Sequence, residues 1–188
     1  MVVLHTNRRG KTFYLHQGTT KTGKPKYFFS LNNKGELAHG VPKGFEIYEN
    51  PNGQVFLHRK EAKLITDEEL AVVEEGLKRY SRQQRCWVDV RQAIITVFTP
   101  DQNWAELEEG MELLAGLKAR RVFDRFTSYS PVLQFVLADK EQRTFITRRY
   151  CFLGSVDDWI EIGRPGRLAT LVKKYVRHLG QDSFYDLH

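Results

Sequence analysis

The chain reads as an α+β protein on three observations: strand-like runs closed by turn residues crowd its first third, hairpin-length connections recur later, and helical stripes separate them. The expected order is an N-terminal four-stranded antiparallel β-meander followed by an α-ββ-α-ββ-α portion, with helices packed on a mostly antiparallel sheet. The length of 188 residues, with 41% hydrophobic and 28% charged content, suits one large domain or two small ones with a real core. A boundary is expected where composition, charge and periodicity all change. It separates a basic β-meander subdomain, residues 1–63, from an α+β subdomain, residues 64–188. With no Gly/Ser-rich or Pro-rich linker there, the two are expected to pack together.

The meander rests on four runs. Residues 11–16 (KTFYLH), 26–31 (KYFFSL), 45–49 (FEIYE) and 54–59 (QVFLHR) are rich in aromatic and β-branched residues. Gly and Pro punctuate the intervals, and Asn52-Gly53 is the strongest hairpin cue because both residues tolerate positive φ. Side chains alternate between the faces of a strand. One set is a core face: Phe13, Leu15, Tyr27, Phe29, Leu31, Phe45, Ile47, Val55 and Leu57. The other, Tyr14, His16, Lys26, Phe28, Tyr48, Phe56 and His58, mixes rings with cationic or titratable groups.

Later elements follow from caps and stripes. Thr66-Asp67-Glu68-Glu69 has the capping-box form and opens a helix over 67–82 with Leu70, Val73, Leu77 and Tyr80 on one stripe. Residues 86–90 and 93–99 read as β. Asn103 and Glu106 can cap a second helix carrying Trp104, Leu107, Met111 and Leu114. Residues 132–138 and 143–152 form a second hairpin. Leu168, Leu171, Val172, Tyr175, Val176 and Leu179 trace the last helix, which Gly180 stops.

The net charge is +6 overall, yet residues 1–63 hold eleven Lys/Arg against four acids, a net of +7, and the rest nets −1. Such a local excess points to an acidic partner. The ring-bearing face has two open readings. Either it packs against the rest of the chain, or it is a contact platform on which rings stack on bases while Arg8, Arg9, Lys11, Lys21, Lys24 and Lys26 neutralise phosphates. The expected function is a non-enzymatic binding or interaction module contacting nucleic acid, ahead of an acidic protein, through Tyr14, His16, Phe28, Tyr48, Phe56, His58 and those basic residues.

Rival chemistries are thinner. Asp157-Asp158, with Asp89 or Asp101, could serve a metal-dependent phosphoesterase, against the reading of Ser155 as a cap with both acids in a short helix's first turn. Gly163-Arg164-Pro165-Gly166-Arg167 before the last helix is either a tight turn or an anion perch using Arg164, Gly166 and Arg167. Arg149 beside Cys151 could stabilise a thiolate. His16 and His58 share a face without further metal ligands. Arg120-Arg121 and Arg148-Arg149 could extend a basic surface. A homo-oligomeric assembly protein burying the aromatic face is a third class. No P-loop, Rossmann, zincin or nucleophile-elbow pattern occurs, so no cofactor is expected. Two cysteines, a start unlike a secretory signal and no apolar run of about 20 residues suggest a cytoplasmic protein that spans no membrane.

Overall fold

A computed structural model describes residues 1–101, 127–152 and 157–188. The fold is α+β with antiparallel sheets, and it divides into two compact units. Among described residues the first holds Met1–Glu61 and 127–128; the second holds 62–101, 129–152 and 157–188. The expected second helix and the Ser155 cap lie outside the described residues.

In the first unit, β1 (Leu4–Thr6), β2 (Thr12–Thr19) and β3 (Pro25–Ser30) form a sheet in the order β1-β2-β3. Strands β4 (Phe45–Glu49) and β5 (Val55–Arg59) form a second, two-stranded one. The expected single meander is thus two sheets, with β1 as an unexpected addition. The reason lies after β3, where the chain turns back to the far edge of β2 instead of continuing beside β3. His16 bridges Leu37 there, the Gln17 amide donates to the Glu36 carbonyl at 3.0 Å, and the Ala38 amide donates to the Leu15 carbonyl at 2.8 Å. Strand β1 is held on the same edge by the Leu15 amide, which donates to the Val3 carbonyl at 3.0 Å. The β4–β5 turn is fixed by the Asn50 side chain, whose Oδ1 accepts from the Asn52 and Gln54 amides at 3.0 and 2.9 Å. Gly53 takes the left-handed φ of 72° that this turn demands.

The second unit is built on β6 (Trp87–Arg91), β7 (Ile94–Pro100), β8 (Tyr129–Asp139), β9 (Thr144–Phe152) and β10 (Asp157–Glu161), in the order β10-β9-β8-β7-β6. A two-residue strand, β11 (Gly166–Arg167), also pairs with β9. Helices α1 (Asp67–Tyr80) and α2 (Leu168–Tyr175) cover one face. Val73 and Leu77 from α1 and Leu171 and Val172 from α2 share a core with Ile95, Val97, Leu133, Phe135 and Phe145 of the sheet. A 3₁₀ turn, Val176–His178, completes the last helical stripe. Among described residues no helix is long and apolar enough to cross a membrane.

The capping box forms as expected, with the Thr66 hydroxyl accepting from the Glu69 amide and Glu69 Oε2 accepting from the Thr66 amide at 3.0 Å. Its Glu69 carboxylate also takes both the Arg143 Nε, at 2.9 Å, and the Arg143 Nη2, which ties α1 to the β8–β9 turn. Glycine in a helix interior normally costs roughly 1 kcal/mol against alanine. Gly76 is kept because a Cβ there would stand 2.1 Å from Val172 Cγ1 on α2. A β-branched side chain on a helix has one strongly preferred rotamer, so Val172 cannot swing aside. Gly76→Ala is therefore expected to lose about 1–3 kcal/mol by overpacking, read from urea unfolding midpoints. Adding Val172→Ala should recover part of the loss, and a Gly76→Ala protein more stable than the parent would refute the close helix crossing.

Candidate nucleic-acid interface

Strand register brings the ring-bearing residues of the first unit into two ladders. On β2–β3, His16 lies directly opposite Phe28, with ring centroids 5.1 Å apart and planes within 12°. His16 Nε2 is 2.8 Å from the Asn32 carbonyl oxygen, which can only accept, so Nε2 carries the proton. Lys26 Nζ stands 5.4 Å from the Phe28 centroid. On β4–β5, Tyr48 lies opposite Phe56 at 6.4 Å, and His58 stacks on Tyr48 at 4.7 Å and 20°.

Exposure divides these rings. Phe28 is 44% and Phe56 40% accessible, whereas Tyr14, Tyr48 and His58 are half-buried. His16 is buried, because the segment that returns along β2 covers it: Leu37 bridges its backbone and Gly35 sits against its ring. Leu31, assigned to the core face from sequence, is exposed. An acid also joins the ring face, since Glu46 lies directly opposite His58.

The basic residues separate as well. Lys21, Lys24 and Lys26 are exposed around the β2–β3 turn, and Lys11 is exposed at the start of β2. The half-buried Arg8 and Arg9 instead turn inward, and each donates an Nη2 hydrogen to the Thr127 carbonyl, at 2.8 and 3.2 Å. Arg8 is further tied through its amide to Glu49, whose other oxygen lies 2.8 Å from His5 Nε2. Nothing in the local sequence marks Thr127 as their partner, because it is more than a hundred positions away.

The other sequence candidates do not assemble. Asp89 lies on β6 and Asp157-Asp158 on β10, the opposite edges of the sheet. Four strand spacings of about 4.8 Å put them roughly 19 Å apart. Asp157 and Asp158 belong to a strand rather than to the first turn of a helix, and Asp158 accepts from the Trp159 amide at 2.7 Å. Among described residues no group of three His, Cys, Asp or Glu is placed to hold a metal. Gly166 and Arg167 pair with Phe145 and Thr144 of β9, so that segment closes a sheet edge, while Arg164 and Arg167 are exposed. Arg148 pairs with Glu161 at 2.9 Å. Arg149 is buried and donates to the Tyr185 and Leu187 carbonyls at 3.0 and 2.9 Å, so its hydrogen bonds go to backbone rather than to Cys151.

These features define an α+β chain whose first unit carries two short antiparallel sheets, each bearing a stacked ring set with one exposed phenylalanine. No family model matches the chain, and neither a curated protein nor a solved structure matches it.

In the second unit, Cys86 lines a cavity of about 680 Å³ beside Lys78 and Trp87. Burial pushes its thiol up to about 11 from an ordinary 9.0, against weaker hydrogen bonding that favours the thiolate. A raised pKa favours the neutral thiol in the folded state. The stability this contributes is full below pH 9 and is lost as pH rises toward 11. Alkylation of Cys86 by iodoacetamide should accordingly show its midpoint near 11; a midpoint near that of a free thiol would show the cavity wall to be open to water.

Proposed function

We propose that the first unit binds single-stranded nucleic acid, with Phe28 and Phe56 as stacking platforms and Lys21, Lys24 and Lys26 as phosphate contacts. The observation that carries this reading is the pair of exposed phenylalanines, 44% and 40% accessible, Phe28 stacked with His16 and Phe56 with Tyr48. A ring braced by its neighbours loses little freedom when a base covers it. Base stacking on an aromatic ring is worth about 1–3 kcal/mol and is tolerant of sequence. The lysine Nζ now near Phe28 can shift to a phosphate when a base takes its place over the ring, because a lysine stem is flexible. Single strands are favoured over duplex, since a stacking platform needs unpaired base faces.

Fluorescence anisotropy with oligonucleotides of one repeated base tests the reading. Phe28→Ala and Phe56→Ala should each weaken binding by about fivefold to 150-fold, as loss of one stacked base implies. The slope of log K against log salt should be about −2, from three phosphate contacts at about −0.7 each for a single strand. Absence of binding at low salt defeats the proposal. Affinity left unchanged by both alanine substitutions would leave phosphate attraction without stacking, and so would also reject it.

A further inference from the structure

Strand register sets a carboxylate on the same side of β4–β5 as the rings. Glu46 and Tyr48 alternate along β4 with the half-buried Phe45 and Ile47, and they lie directly opposite His58 and Phe56 of β5. Glu46 is exposed. It is the diagonal neighbour of Phe56 across the ladder, at a separation of roughly 7–8 Å. The β2–β3 set differs, because there Lys26 stands 5.4 Å from the Phe28 centroid. The other acids of residues 1–63 lie elsewhere. Glu49 is held by His5 and the Arg8 amide, Glu36 meets the Gln17 side-chain amide at 3.5 Å, and Glu61 follows β5.

A carboxylate costs affinity on a surface that meets phosphates, because like charges repel. It contributes there by accepting hydrogens from another part of the ligand. Its two oxygens accept and cannot donate, so a pair of adjacent donors satisfies both at once. Among the common bases guanine alone presents such a pair, N1–H and N2–H₂, on its Watson–Crick edge. Adenine and cytosine offer one amino group beside an acceptor nitrogen, and thymine or uracil one N–H between two carbonyls. Unpaired bases laid on aromatic rings are read on that edge. From this juxtaposition we infer that Glu46 makes the Phe56 platform selective for guanine, its carboxylate receiving N1–H and N2–H₂ of a base stacked on Phe56. The base covers part of the diagonal between the two residues, and the methylenes of Glu46 supply the rest. The Phe28 platform, with Lys26 beside it instead, takes any base. Selection here rests on Phe56 serving as a stacking platform, to which it adds the identity of the base.

Short adenine strands carrying one central guanine, cytosine, thymine or hypoxanthine, titrated by fluorescence anisotropy, separate the outcomes. Guanine should tighten binding about fivefold to 150-fold over cytosine or thymine, the equivalent of the roughly 1–3 kcal/mol that a good bidentate base contact gives. Hypoxanthine, which keeps N1–H and lacks the amino group, should fall between them. Glu46→Gln turns an N–H₂ toward a guanine donor, so the guanine preference should vanish. The same variant should bind the all-adenine strand more tightly, since a negative charge is gone. Phe56→Ala should also abolish the preference, whereas Phe28→Ala should weaken all strands alike. Circular dichroism checks that each variant folds, and the hypoxanthine strand tests the contact on the unaltered protein. Equal binding of all strands overturns the selectivity and leaves base stacking standing. A guanine preference that survives in folded Glu46→Gln, or hypoxanthine bound as tightly as guanine, overturns it as well. Failure of every strand to bind at low salt removes base stacking, and guanine selection with it.

Discussion

Slide β2 by one residue against β3 and the wholly buried Leu15 changes faces with His16, because side chains alternate with a period of two. That slip would remove the core contact of the first sheet and dissolve the His16–Phe28 stack together. What prevents it is the turn between the strands: the Thr20 amide donates to the Lys24 carbonyl at 2.8 Å, with Gly23 at a φ of 79°. The same device works in β4–β5, where the Asn50 side chain and Gly53 hold Tyr48 opposite Phe56. In both hairpins, turn chemistry sets register, register sets the ring ladder, and the ladder sets which ring reaches solvent.

The second unit applies the alternation to a wider sheet, and one polar residue on its covered side creates a demand. A buried guanidinium is costly unless its N–H groups find acceptors. Arg149 finds them in the carbonyls of Tyr185 and Leu187, which draws the C-terminal segment against the sheet. That segment then contributes Phe184 to the core. One buried charge therefore accounts for where the final turn lies. Glu69 does comparable service at the other end of the unit, completing the capping box while it receives Arg143.

What the sequence made legible is local. The Thr66–Glu69 cap, the Asn-Gly turn and the closing helical stripe each carry their signal within a few residues, and each forms. The strands of the first third were legible for the same reason, as was the ring-bearing side. The split into two sheets was not, because it depends on residues 36–38 returning to β2, a contact with no periodic signature. Strand β1 is three residues long and lacks a recognisable run. Asp157-Asp158 read as helix-opening acids, yet pairing with Phe152 and Cys151 makes them strand. The inward turn of Arg8 and Arg9 escaped for the plainest reason: charge can be counted along a chain, but a carbonyl more than a hundred residues distant cannot be assigned from it.

The net of +7 over residues 1–63 points to an acidic partner without ranking charge against stacking. Arg8 and Arg9 keep their charge while each donates to the neutral Thr127 carbonyl, and Glu46, opposite His58, sets a negative charge among the rings. Lys21, Lys24 and Lys26 remain exposed around the β2–β3 turn. In the proposed reading the rings supply the base contacts and those lysines the phosphate contacts. Their arrangement suits this: His16 is locked by the Asn32 carbonyl and stacked on Phe28, while Phe56 stands in a set of three with Tyr48 and His58. A single exposed phenylalanine is ordinary on any surface. Two that are each stacked on a cross-strand partner at fixed register, Phe28 on His16 and Phe56 on Tyr48, are preorganised, and preorganisation decides whether apolar area turned to solvent is a cost or a binding surface.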